Sequence, residues 1–222
     1  MTRSLSAVIV ATVVGFSVGG PPGLALAGAE WYVAGQGGHQ FPQDLSNIQG
    51  TGRYQGTTSN DLNLRNQWAF GVKAGAYLPA GWRWLGMEFD FSHSDANIER
   101  QPITASAPLL GTTQQNGVTS RVGLTVNQFT LNLLARYPGQ AFQPYLGIGG
   151  GLGHSLLRTS PERETAVYPV VNVLAGMKFF LTPHVACFTE YKHARATVEF
   201  SDNPFRADLR TNWVMVGLSY RF

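Results

Sequence analysis

Eight stretches of this sequence alternate large apolar residues with small or polar ones at every second position. Successive side chains of a β-strand point to opposite faces of a sheet, so a period of two predicts strands that each carry one apolar face. We find no convincing helical periodicity between these stretches. The predicted strands are Glu30–Gln40, Gln67–Leu78, Arg83–Ser94, a strand ending in Phe129–Tyr137, Pro144–Ser155, Val170–Leu181, Val185–His193 and Val214–Phe222.

The connections between these strands alternate between short and long. The short ones are PAGW, PGQAFQ and TPH, and the long ones are Phe41–Asn66, Asp95–Arg121, Arg158–Thr165 and about Arg195–Arg210. An even number of strands, with short turns at one end and longer loops at the other, is typical of outer-membrane barrels. An open sheet edge would leave unpaired backbone groups in lipid, so a spanning sheet must close. We therefore predict an all-β fold, an eight-stranded antiparallel transmembrane up-and-down β-barrel.

The distribution of charges indicates which face of each strand lies outside. Charged residues fall on the faces opposite the large apolar side chains, at Lys73, Glu88, Asp90, Arg136, Lys178, Glu190 and Lys192. Most other residues on those faces are Gly, Ala, Ser, Thr or Asn. A soluble eight-stranded barrel, such as a lipocalin, would carry Lys and Glu along its whole outer face. The pattern instead places the apolar set in lipid and the small and charged set in the lumen.

These seven charged residues form a predicted lumen charge network. Unpaired charges in a confined interior are costly, so we expect them to pair across the lumen. An eight-stranded barrel is just wide enough for its own side chains to fill it. A packed polar plug is therefore favoured, and a narrow or gated ion path through the same residues is the alternative.

Aromatic residues fall where the two membrane interfaces should lie. Those assigned to the short-turn end are Tyr77, Trp82, Trp84, Tyr137, Phe142, Tyr145, Tyr220 and Phe222. Those assigned to the loop end are Trp68, Phe91, Phe129 and Tyr191. Sorting by depth in this way is expected of a membrane barrel and not of an ordinary hydrophobic core.

The first 29 residues read as a secretory signal peptide. Arg3 supplies the positive region, Leu5–Val18 the apolar region, and small residues allow cleavage after Ala27 or Ala29. A retained membrane anchor is less favoured because the apolar run is short for a membrane span. We therefore expect export through the general secretory pathway and a mature barrel domain over residues 30–222.

Composition argues against several kinds of function. Without Arg3 the chain has 15 basic and 13 acidic residues, a balance that does not favour nucleic-acid binding. The single cysteine, Cys187, allows no internal disulfide, and the five histidines show no metal-ligand spacing. The run GIGGGLG lacks the pattern of a phosphate-binding loop, and its inward glycines are expected to leave space for Arg136 and Lys178. We expect neither a metal nor a cofactor.

Five stretches carry a resemblance to a known family: AEWYVAG, TLNLLARYP, QPYLGIGGGLG, LAGMKFFLTPHVACFTEYKH and the closing GLSYRF. They resemble the eight-stranded outer-membrane barrels of the OmpA transmembrane domain, OmpX and opacity-protein type. The resemblance covers essentially the whole mature chain and implies residence in the outer membrane of a Gram-negative bacterium. It does not imply one function, because this fold hosts adhesins, structural proteins, small channels and lipid-modifying enzymes.

In such families the last strand resembles a recognition signal for the outer-membrane assembly machinery, to which periplasmic chaperones deliver the chain. The residues implied here are Val214, Val216, Leu218, Tyr220 and Phe222, all on the predicted lipid face. The same strand is expected to pair with the first strand around Trp31–Gly38 and so close the barrel. Outer-membrane lipids and lipopolysaccharide are the other expected partners, and the barrel is expected to be monomeric.

We expect a non-enzymatic role, in envelope integrity or in surface contact through the loops Phe41–Asn66 and Asp95–Arg121, because loops on a rigid scaffold commonly carry function. A small ion or solute channel is the alternative. A third possibility resembles the lipid A deacylases, which place a His and a Ser two residues apart on one strand face. No His-x-Ser occurs in this chain, and the adjacent His154 and Ser155 must face opposite ways.

Overall fold

The computed structural model describes residues 28–42, 46–50, 58–59, 67–79, 81–98, 102–107, 112–118, 122–158, 163–199 and 205–222. Most of the proposed signal peptide lies outside these residues, so its assignment stays a prediction. No helix among the described residues is long and apolar enough to cross a membrane. The strands are β1 Glu30–Pro42, β2 Ser46–Gly50, β3 Thr58–Ser59, β4 Gln67–Tyr77, β5 Leu85–Ile98, β6 Pro102–Ala107, β7 Thr112–Val118, β8 Val122–Arg136, β9 Phe142–Arg158, β10 Arg163–Phe180, β11 Val185–Glu199 and β12 Phe205–Arg221.

Eight of these strands close into the predicted antiparallel barrel. Each pairs with its neighbour in the order β1, β4, β5, β8, β9, β10, β11, β12, and β12 pairs back onto β1. The closing seam runs from Tyr32 opposite Arg221 to Pro42 opposite Thr211. The barrel prediction and the closing role of the last strand are therefore confirmed.

Burial alternates along the barrel strands with the apolar residues outside. On β4, Phe70 and Val72 are 59% and 58% exposed, whereas Lys73, the residue that follows Val72, is only 4% exposed. The same inversion holds on β8, where Leu131 and Leu133 are exposed and Asn132 is buried. A surface of this kind is stable only where lipid, and not water, covers the wall.

Two of the aromatic assignments are wrong. Trp82, Trp84, Tyr137 and Phe142 are exposed at the short-turn end, as predicted, and so are the last two aromatics of the chain. Tyr77 and Tyr145, in contrast, are buried in the lumen, because each shares its strand face with inward-pointing residues. Side chains alternate between the two faces of a strand, so the position of each residue in this alternation, and not its distance from the turn, decides whether its ring points to lipid or to the lumen.

The predicted long loops contain more strand than expected. The start of β12 pairs with β2 on the loop side of the barrel, and β3, β6 and β7 continue the same sheet beyond β2. The strands β9, β10, β11 and β12 also run further into the predicted loops Arg158–Thr165 and Arg195–Arg210. Where β11 and β12 enter these loops the alternation is inverted. Ala194, Ala196 and Leu209 are buried, and the charged residues between them lie on the outer face, as expected of a strand whose outer face meets water.

Candidate functional site

The ammonium group of Lys73 lies among three carboxylates in the middle of the lumen. Its Nζ atom is 2.6 Å from Glu190 Oε2, 2.9 Å from Glu88 Oε1 and 3.5 Å from Asp90 Oδ2. An ammonium has three N–H donors, so one lysine can serve all three acids. Asp90 also binds the ammonium of Lys192, and all five side chains are buried. We call these five residues the central cluster.

Local strand geometry explains how the central cluster forms. Lys73 lies directly opposite Asp90 across the β4–β5 ladder, and Glu88 is the next inward residue of β5. Glu190 and Lys192 are successive inward residues of β11, on another part of the wall. The bond between Lys73 and Glu190 therefore crosses the lumen and ties two separate parts of the barrel together.

Neutral side chains donate further hydrogen bonds to the three carboxylates. Tyr32 donates its hydroxyl to Glu88 at 2.6 Å, and Tyr145 donates to Glu190 at 2.9 Å. Asp90 accepts from Ser92 Oγ at 2.8 Å, and amide groups from β1 and β8 add longer bonds to Asp90 and Glu88. Sequence reasoning missed these donors, although each occupies an inward position of its strand.

Every buried tyrosine of the described lumen faces a glycine on the adjacent strand. The cross-strand pairs are Tyr32–Gly75, Tyr77–Gly86, Tyr145–Gly176 and Tyr168–Gly153. A Cβ atom at any of these glycines would overlap the tyrosine ring, so glycine supplies the space that the ring occupies. The glycines of the GIGGGLG run have a related role, but their neighbours are Asn132, Leu134, Tyr168 and Leu174. The expectation that they make room for Arg136 and Lys178 is wrong.

Lys178 is buried in the lumen among aromatic rings. Its Nζ atom lies 3.6 Å from the ring centre of Tyr32 and 5.7 Å from those of Tyr77 and Tyr145. Within the described part of the chain, no carboxylate oxygen lies within ion-pair distance of it. Ring faces attract a cation, so the three tyrosines replace a counter-ion.

Arg136 lies apart from the central cluster, at the short-turn mouth of the barrel. Its guanidinium binds Glu30 through two bonds of 2.6 and 3.0 Å and stacks on the Tyr77 ring at 3.6 Å. Glu30 was not among the predicted residues, although it lies two positions before inward-facing Tyr32. The structure thus distributes the seven predicted charges over three sites, with five in the central cluster and Lys178 and Arg136 separate.

The other candidate groups found in the sequence lie elsewhere. The Nδ1 atoms of His93 and His193 bond to the Oδ1 atoms of Asn127 and Asn212, at 2.7 and 2.8 Å. Ser155 is buried against the Tyr168 hydroxyl, and the neighbouring His154 lies on the opposite face. Among the described residues no group of three His, Cys, Asp or Glu side chains is placed to hold a metal ion.

The residues of the proposed assembly signal lie on the outer surface of β12 and its end. Their exposed side chains are those of Val214, Val216, Leu218, Tyr220 and Phe222. Phe222 continues the closing seam, because its N–H donates to the Trp31 carbonyl at 3.0 Å, and its ring meets Tyr220 edge-on.

Replacing Lys73 by Met should destabilise the barrel strongly, because three buried carboxylates would share one fewer cation. Removal of one partner of a buried ion pair costs about 3–5 kcal/mol in the free energy of unfolding. Lys178→Met is the matched control, since its ammonium contacts rings and no acid, and it should cost clearly less. Urea unfolding in detergent micelles, followed by circular dichroism, would measure both. Equal losses in the two variants would contradict the assigned pairing.

Comparisons with known proteins agree with this architecture. The family model described as "Outer membrane protein beta-barrel domain" matches residues 10–222. A search of curated proteins finds no match. Among solved structures, Neisserial surface protein A (NspA) is 13% identical, with a TM-score of 0.57, and the alignment covers 88% of this chain and 99% of that one.

Two other solved structures are similar at a lower level. OprG from Pseudomonas aeruginosa is 15% identical with a TM-score of 0.49, over 88% of this chain and 96% of that one. Ail from Yersinia pestis, in complex with a heparin analogue, is 14% identical with a TM-score of 0.49, over 88% and 99%. The family match extends over nearly the whole sequence and the closed barrel agrees with it, so this chain belongs to the outer-membrane protein β-barrel family.

Proposed function

We propose that this outer-membrane barrel is a closed scaffold that acts at the cell surface, in contacts made by its loop-side sheet, and that it does not conduct ions. The observation that carries the proposal is the central cluster, which fills the lumen with mutually paired charges. A small ion could pass only by breaking these pairs, and separating a buried pair is costly.

The filling of the lumen involves almost the whole circumference of the barrel. Seven of the eight barrel strands contribute a buried side chain to the central cluster or to its direct contacts. These are Tyr32, Lys73, Glu88, Asn132, Tyr145, Glu190 and Trp213, whose ring faces the ammonium of Lys192. A barrel of this strand number has room for such side chains and little else.

The loop-side sheet supports a surface role. The strands β2, β3, β6 and β7 extend the wall beyond β12, and their sequences are SNIQG, TS, PITASA and TTQQNGV. These sequences contain no charged residue and are rich in hydroxyl and amide groups, which recognise partners through hydrogen bonds. β7 ends the order of strands in this sheet. The long loops of an outer-membrane barrel face the exterior, so this sheet is open to external partners.

The purified protein should give no channel events in planar lipid bilayers, because the central cluster blocks the lumen. The Arg136→Ala variant should also show no conductance, since the Arg136 side chain lies at the short-turn mouth and not in the central cluster. Single-channel recording of both proteins would test this. A reproducible conductance that Arg136→Ala alters would overturn the closed scaffold in favour of a small channel.

Replacing residues 102–118 by a short Gly-Ser linker should remove surface contact and leave the barrel folded. Among the described strands, β6 pairs with β3 and β7, and β7 pairs with β6, so neither pairs with a barrel strand. Cells that express either protein would be tested for attachment to cultured epithelial cells. Heat-modifiable migration on gels would verify that both barrels fold. Unchanged attachment by the linker variant would contradict a role for this hairpin, and a mass change of lipid A on expression would indicate an enzyme instead.

We also propose that the aromatic end of β12 is read by the assembly machinery. Phe222→Ala keeps the backbone bond to Trp31 but removes the ring, so it separates recognition from sheet closure. The variant should reach the periplasm yet be strongly depleted from the outer-membrane fraction, whereas Phe222→Trp should be retained. Both should fold equally well into lipid vesicles in vitro. Normal outer-membrane levels of Phe222→Ala would refute the signal.

A further inference from the structure

The short turns of the barrel surround a cavity that the proposed surface role does not use. Its volume is about 550 Å³, within the range of small-molecule sites. Residues from all three short turns and from the end of β12 line it, including Arg83, Arg136, Gln140, Gln143, Thr182 and Arg221. Short turns mark the periplasmic end of outer-membrane barrels, so the cavity opens towards the periplasm.

The charge around this cavity is unbalanced. Three guanidinium groups line it, and the only carboxylate that pairs with them among the described residues is that of Glu30. Arg136 binds it at 2.6 Å, and Arg221 Nη1 lies 3.3 Å from its second oxygen. The balance stays positive when a terminal carboxylate on Phe222 is counted. In the central cluster, by contrast, each cation has an acidic partner.

The three arginines differ in how many donors they keep free. Arg136 donates four hydrogen bonds, to Glu30, Gln143 and the carbonyl of Arg83. Its buried guanidinium forms the floor of the cavity. Arg221 donates two hydrogen bonds to the Pro183 carbonyl, and its guanidinium lies over the Phe180 ring at 4.4 Å. Some of its N–H donors remain available for a ligand. An arginine fixed in this way loses little conformational entropy when it binds.

Arg83 is the most exposed of the three arginines. Its side chain is exposed, and within the described part of the chain it makes neither a hydrogen bond nor an ion pair. Its backbone is nevertheless fixed, because its carbonyl accepts a bond from Arg136 at 3.0 Å. A free guanidinium on an anchored turn, beside a second one that is already oriented, is suited to hold an anion.

We propose that this cavity binds a small periplasmic ligand through an oxyanion, a carboxylate or a phosphate, with Arg83 and Arg221 as its direct contacts. Guanidinium forks bind both groups in the same bidentate manner. Arg136, held in place by Glu30, forms the floor, and the exposed Gln140 lies on the rim. The two sources of such a group are the carboxyl end of a cell-wall peptide and a phosphate-bearing molecule.

Calorimetric titration of the full-length folded barrel in neutral-detergent micelles, at low salt, would test the site. The probes are N-acetyl-D-alanyl-D-alanine, its carboxamide and inorganic phosphate. Saturable binding of the acid and at least tenfold weaker binding of the carboxamide are expected. Arg83→Gln should weaken binding about tenfold, since it removes one charge-assisted contact. Gln140→Glu should also weaken binding, because it adds a negative charge to the rim.

Arg195→Gln is the matched control, because Arg195 is an exposed arginine at the loop end, 3.7 Å from Asp208. Its affinity should equal that of the unmodified protein. Binding of phosphate without the peptide would support the site and assign its ligand as phosphate-bearing. Saturation by neither anion, equal binding of acid and carboxamide, or equal losses in Arg83→Gln and Arg195→Gln would overturn the proposal.

Discussion

The sharing of one ammonium group by three carboxylates is the interaction on which the rest of this barrel depends. Water cannot compensate charges in so narrow a lumen, so each acid needs a protein partner. Lys73 contributes to all three, and its bond to Glu190 joins distant parts of the wall. Hydrogen bonds between strands hold neighbours together, whereas this contact also fixes the spacing across the lumen.

The tyrosine–glycine pairs are the counterpart of this charge arrangement. Tyr32 and Tyr145 bring hydroxyls to the carboxylates only because Gly75 and Gly176 leave space for their rings. The same rings surround Lys178 and provide the attraction that an acid would otherwise supply. The glycines, the tyrosines and Lys178 therefore depend on one another inside the barrel. Many glycines of the sequence are needed because they make room for the tyrosine rings.

Much of this architecture follows from the sequence because parity along a strand is a local property. The inward position of Lys73 or Glu190 can be predicted from its two neighbours alone. The partner of an inward residue depends on register and stagger between strands, which no local pattern encodes. For this reason the seven charges could be placed in the lumen, but the separation of Arg136 and Lys178 from the rest could not be predicted.

Other residues were missed for different physical reasons. Glu30 was overlooked because it begins its strand, although its parity with Tyr32 was visible. Tyr77 was assigned to the interface because it lies near a short turn. An aromatic residue at that height can point either to lipid or into the lumen. The strands β6 and β7 left little signal in the sequence, because PITASA and TTQQNGV contain only two large apolar residues, Ile103 and Val118. The sequence is therefore informative about the strands with an apolar outer face. It is much less informative about the two ends of the barrel, where β2, β3, β6 and β7 pair through their backbones and where three arginines lie close together.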